Sequence, residues 1–175
     1  MAPRMPALPS SRLAGWLLTA AAALATAVLF GPRLLAVAAG ARPHAPDLAL
    51  FAIQPAVIQV HVLAALGAVA VGALILAGRK GDGLHRVLGW TWTILMGGAA
   101  ASSLFIVGFN GDVWSIIHLL SGWTLVSLPV AIAAARSRNI GRHRQAMTGV
   151  YWGASIVAGL FAFLPGRLMW RLFMG

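Results

Sequence analysis

Residues 56–86 read AVIQVHVLAALGAVAVGALILAGRKGDGLHR, and this stretch decides the fold. Twenty-two residues without a charge run into a glycine-rich turn with two cations, and a second apolar run then opens on His85-Arg86. A helix needs about 20 apolar residues to cross the hydrocarbon of a bilayer. Gly81-Asp82-Gly83 marks the gap after the first run. The stretch therefore reads as a membrane-crossing helix, a tight basic turn and the start of a second helix running back.

The pattern repeats outward from this hairpin. Five runs are long and apolar enough to be spans, over residues 13–30, 56–77, 85–108, 113–135 and 143–164. Gly31-Pro32, Gly81-Asp82-Gly83, Asn110-Gly111-Asp112 and Asn139-Ile140-Gly141 mark the gaps, and Pro129 is expected to kink the fourth run. The fold class is all-α. We expect a transmembrane bundle with a four-helix core over residues 56–175. Residues 1–55 add one N-terminal helix and an outer loop. The first run also has the marks of a secretory signal, with Ala36-Val37-Ala38 before Ala39. Its length and the intervening Pro32-Arg33 make an uncleaved helix the expectation.

Composition supports this reading. Across 175 residues, 60% are hydrophobic and only 9% charged, against about a quarter charged in soluble domains. The mean hydropathy is +0.87. The net charge of +10 does not mark a nucleic-acid face, because the cations sit in short gaps between apolar runs. With the N-terminus inside, nine cations fall on the inner side and four (Arg33, Arg42, Arg167 and Arg171) on the outer. The excess obeys the positive-inside tendency, and Arg167 and Arg171 work against it. Cysteine and glutamate are absent, and the three aspartates lie outside the apolar runs. Thiolate metal sites, cysteine nucleophiles and carboxylate relays at membrane depth are thereby excluded.

What remains at depth is histidine. His61 and His118 lie about a turn into helices that start outside, and His85 and His143 open helices that start inside. Two pairs thus form two layers, roughly 20–25 Å apart at 1.5 Å per residue. The spacing His61 to His85 is 24 residues and His118 to His143 is 25, which reads as a duplicated hairpin. In an up-down bundle the second and fourth runs are diagonal, as are the third and fifth. One imidazole from each side of a diagonal is what bis-histidine ligation of a haem requires. Ala64, Ala65, Ala68, Gly72, Gly89, Ser121 and Gly122 leave room for a macrocycle, and equally for close helix packing.

Arg86 and Arg144 follow the inner histidines, where a cation opposes the helix dipole. Haem propionates or lipid phosphates would compensate them, and topology alone also accounts for them. His44 reads as an ordinary loop residue. Trp16, Trp114 and Trp170 fit an interfacial belt, while Trp90, Trp92, Trp123 and Trp152 read as deeper packing residues.

Val60-His61, His85-Arg86-Val87-Leu88-Gly89 and His143-Arg144-Gln145-Ala146-Met147 resemble a bacterial family of predicted membrane proteins, domain of unknown function 2306. That resemblance implies a multi-pass protein of the bacterial inner membrane, here with a cytoplasmic N-terminus. The two-layer plan also resembles the cytochrome b561 group of transmembrane reductases, in which four consecutive helices hold two b-type haems. It implies an outer haem on His61 and His118 and an inner one on His85 and His143. The hairpin spacings are shorter here, and no ascorbate-site motif is recognisable. The expected function is b-type di-haem electron transfer or reductase activity, with haem b, one or two per chain, and a quinone or soluble redox partner. Two other classes stay open. The same histidines would serve a non-haem protein that transports metal or protons, or be interfacial residues of an assembly subunit in a membrane complex.

Overall fold

The computed structural model describes residues 35–36, 39–106 and 116–175. The chain divides into two compact units, residues 44–173 and residues 1–43 with 174–175. In the second of these, the Arg42 N–H donates to the Met174 carbonyl at 3.1 Å. The run over 13–30, Val37 and Ala38 of its signal-like end, Trp16 and Trp114 lie outside the described residues. All the helices that follow belong to residues 44–173.

The first helix, α1 (Leu48–Ala52), is a short turn capped by Asp47, whose Oδ1 accepts the Leu50 N–H at 2.9 Å. The second, α2 (Ala56–Ala77), coincides with the expected run, and Gly78 ends it in an extended conformation. Gly81 supplies a left-handed turn (φ 86°) between α2 and α3 (Gly83–Ser103). That third helix begins two residues before His85, because Asp82 Oδ1 accepts the His85 N–H at 2.7 Å and caps it. Next comes α4 (Ile116–Arg136), which continues through Pro129. Both described carboxylates are thus occupied as helix caps, the role acidic side chains commonly fill.

The run over 143–164 is not one α-helix. It consists of α5 (Ile140–Val150), a π-helical segment (Tyr151–Val157) and α6 (Ala158–Ala162). Its start is earlier than expected because Asn139, read as part of a gap, caps α5 through Oδ1 and the Arg142 N–H at 3.1 Å. A π turn holds one residue more than an α turn, so the residues beyond it are rotated by about 100° relative to an unbroken helix. The short α7 (Leu168–Phe173) returns to the α1 end, where the Asp47 N–H donates to the Leu172 carbonyl at 3.0 Å.

The principal packing pairs are α2 with α3, α3 with α4, α4 with α5, and the π segment back against α2. This ring is an up-down four-helix bundle with α2 and α4 on one diagonal. Two of its helices, Ala56–Ala77 and the part of α4 from Ile117 to Arg136, are long and apolar enough to cross a membrane. At mid-bundle one layer takes a residue from every side: Ala68, Trp92, Met96, Leu128, Val150 and Tyr151. Gly72 lets the Tyr151 ring reach α2, where its hydroxyl donates to the Val69 carbonyl at 3.4 Å. Of the four tryptophans expected as packing residues only Trp92 is in this core. Trp90, Trp123 and Trp152 are about half exposed on the bundle surface, where their apolar rings suit lipid.

The far end of α4 closes in a Schellman arrangement. The Asn139 N–H donates to Ala134 O (2.8 Å) and the Arg138 N–H to Ala135 O (3.1 Å), with Arg138 at φ 59°. Glycine ordinarily takes this position, since the left-handed region costs another residue about 1 kcal/mol. Arg138→Gly should therefore raise the unfolding free energy by up to about 1 kcal/mol, the extra freedom of glycine in the unfolded chain offsetting part of the gain. Denaturation in detergent checks this. A net loss of stability would show that the arginine side chain contributes more than its backbone costs.

Candidate cofactor cavity

On the α1 side of the mid-bundle layer the helices leave a partly open cavity of about 630 Å³. That size lies within the ~300–1,000 Å³ usual for cofactor and small-molecule sites. His61 from α2 and His118 from the diagonal helix α4 both line it. Each reaches it for a local reason. One turn inside its helix, His61 takes a position whose neighbours Val57, Ala64 and Ala65 are also partly buried, and His118 is 5% exposed on the inward stripe that continues through Ser121 and Thr124.

The orientation of His61 is fixed by α3. Its Nδ1 lies 2.8 Å from the Ala99 carbonyl and 3.3 Å from Ser102 Oγ. A carbonyl can only accept, so Nδ1 carries the proton and Nε2 keeps the lone pair. This is the tautomer that a metal-ligating imidazole needs, with its other nitrogen anchored by a backbone oxygen. Around the histidines the walls are mostly apolar, with a few hydroxyls: Ser103 and Ser121, which hydrogen-bond to each other between α3 and α4, then Thr124 and Ser155. Each hydroxyl also has a partner within the bundle. Thr124 donates to Leu120 O at 2.9 Å and Ser155 to Met96 Sδ at 3.3 Å.

The rest of the wall comes from the π segment and the residues after it. Ala154, Ser155, Ala158 and Gly159 present small side chains to the space, and beyond them Arg167 and Arg171 line it. Sequence reasoning placed neither arginine in a site. The available signal was their position: they are the pair that runs against the positive-inside count. Missed as well were Ser103, Ser155 and Tyr151, the chain's single tyrosine, which seals the layer below.

The other pair lies in the separate layer expected of it. His85 and His143 sit in the first turns of α3 and α5, at the opposite end of the bundle, and line neither this cavity nor the groove described below. His143 Nδ1 donates to Ala131 O at 3.0 Å, which holds the ring against α4. His85 Nδ1 is buried without a hydrogen-bond partner. Arg86 and Arg144 are exposed on the same end and do not approach the cavity. His44 lies in an exposed loop, its Nδ1 donating to Ala45 O at 2.6 Å, as read from the sequence. Among the described residues no three His, Cys, Asp or Glu side chains converge as a metal site would require.

A helical membrane bundle with a histidine-lined cavity in one half is the class that this fold and site define. The chain belongs to the predicted membrane protein family DUF2306, whose model matches residues 58–173. No curated protein and no solved structure matches it.

Proposed function

We propose that the protein is a b-type membrane cytochrome that holds one haem between His61 and His118 and passes electrons between a quinol or soluble partner and an acceptor. The observation that carries the reading is that these two histidines, from diagonal helices, line one apolar cavity of cofactor size. Bis-histidine ligation asks only two side chains of the protein, because the porphyrin supplies the other four nitrogens. A zinc or copper site needs three or more, and the described residues offer no such group.

The residues present fit a haem. His61 would hold it through Nε2, with Ala99 O keeping its tautomer and ring direction, and His118 would hold it from the diagonal helix. Arg167 and Arg171 would pair with the propionates, which arginine binds through paired hydrogen bonds. The mostly apolar walls would lower the local dielectric around the group, one of the terms that tune a haem's reduction potential. When bound, the haem supplies reversible one-electron chemistry. The protein's part is to hold, orient and tune it.

The layer of Trp92, Tyr151, Leu128 and Val150 lies between the cavity and the arginine-rich end. It favours a redox role over transport, because an electron crosses packed side chains and a hydrated ion does not. We further read the arginine-rich end as cytoplasmic in a bacterial inner membrane, following its excess of cations. The test is a pyridine haemochrome count with a reduced-minus-oxidised spectrum on protein purified from haem-replete cells. One b-type haem per chain is the expected result. Two would restore the second histidine layer, and none would overturn the proposal.

A further inference from the structure

The arginine-rich end carries seven cations, Arg79, Lys80, Arg86, Arg136, Arg138, Arg142 and Arg144, against one carboxylate, Asp82, which is occupied in capping α3. Lys80 is turned back onto α2, donating to Leu76 O (2.6 Å) and Gly78 O (2.7 Å). The arginines are exposed, and the chain has no further acid among the described residues at this end to balance them. Compensation has to come from outside the chain.

A groove at this end shows where. About 360 Å³ in volume, it is lined by Val130, Ala133 and Ala134 along α4, then by Ser137, Asn139 and Arg142 at the turn into α5. Its walls change from apolar to polar along the helix axis, moving from mid-bundle towards the end. An acyl chain followed by a phosphate has the same order. The arginine that strains the backbone, Arg138, lies between Ser137 and Asn139 of this rim. A glycine would fit that conformation better, yet the position carries a cation.

We infer that this groove binds an anionic phospholipid, with one acyl chain along Val130 and Ala133 and the phosphate at the Ser137–Arg142 turn. Basic pockets between membrane helices select anionic headgroups through the negative potential of their phosphates. The site is separate from the histidine cavity and does not depend on the haem reading. It also gives the uncompensated arginines of the first turns of α3 and α5, Arg86 and Arg144, a neutralising surface in the same leaflet.

The test uses the full chain in a neutral detergent, supplied with phosphatidylglycerol or phosphatidylcholine at equal mole fraction, with retained lipid counted by native mass spectrometry. Phosphatidylglycerol should be retained and phosphatidylcholine lost. The double variant Arg138→Gly with Arg142→Gln should weaken retention by about thirtyfold, the factor expected for two cations near a membrane surface. Ala133→Trp fills the groove while keeping every charge and should cause a comparable loss. Arg79→Gln with Lys80→Gln, an equal charge change in the turn between α2 and α3 outside the groove, should leave retention as it was. Equal retention of the two lipids, unchanged retention in Ala133→Trp, or displacement of the lipid by inorganic phosphate alone would overturn the assignment.

Discussion

Replacing His118 by alanine is expected to bring haem content to background, and His61→Ala is expected to do the same, whereas His85→Ala and His143→Ala retain one haem per chain. The contrast follows from placement. His61 and His118 share a cavity, and the other two histidines occupy the first turns of helices at the opposite end. Loss of either imidazole would remove one of the two side chains that would hold the group, and alanine carries no donor atom of its own. His61→Ala also deletes the hydrogen bond to Ala99 O, a net contribution of about 1 kcal/mol, so helicity by circular dichroism must accompany the spectrum. Recovery of the absorption band on adding imidazole to His118→Ala would separate ligation from folding. Equal haem in all four variants would remove His61 and His118 from the site. Loss of half the haem in His85→Ala or His143→Ala would instead reinstate the second layer.

The second large effect concerns the layer beneath the cavity. Two terms of opposite sign meet at Gly72. Alanine is the better helix former by about 1 kcal/mol, which alone would stabilise the variant. Against that, a Cβ at Gly72 would overlap the Tyr151 ring and lie 2.8 Å from Trp92 Nε1. Both rings are buried, and they are rigid, so neither can move aside as a flexible chain end could. Overpacking of this kind costs about 1–3 kcal/mol. Gly72→Ala should therefore be net destabilising, by up to about 2 kcal/mol in denaturation measured in detergent. Gly72→Leu, with three more carbons in the same place, should not accumulate as a folded protein. Tyr151→Ala in the Gly72→Ala background should restore part of the loss from the overlap, a coupling that independent sites would not show. Stabilisation by Gly72→Ala would mean that the tyrosine ring does not press on α2.

The two expectations test different halves of one design. An apolar layer crossing all four helices closes the bundle at mid-depth, and a cavity is left open on one side of it. Two histidines, two arginines and a set of small residues share that cavity. The basic end on the other side is left to the lipid.

Much of this was legible in the amino-acid order. The uncharged run over 56–77 and the Gly81-Asp82-Gly83 gap after it gave α2 its bounds, because span length is a local property. The matching depths of His61 and His118 were also local, since each is counted from the start of its own helix. Helix starts were less legible: Asn139 and Asp82 look like loop residues in a string and become caps only when their side chains fold back on the next turn. The π segment had no signal, since Tyr151–Val157 has the composition of any α-helix and its wider register is a matter of packing.

The sequence by itself determined an all-helical membrane protein, the bounds of α2, the depths of its histidines and the uneven distribution of its cations. Only the tertiary structure decided which residues share a space. Small residues show the ambiguity: Ala65 and Ser121 line the cavity, whereas Gly72 admits a tyrosine ring and closes the bundle. Both uses have the same sequence pattern, because a missing side chain specifies room and not what fills it. The pairing of His61 with His118, and the approach of Arg171 from α7 and of Arg167 from the turn before it, depend on how helix faces rotate against one another. That rotation is set by contacts between distant parts of the chain, and no single helix records it.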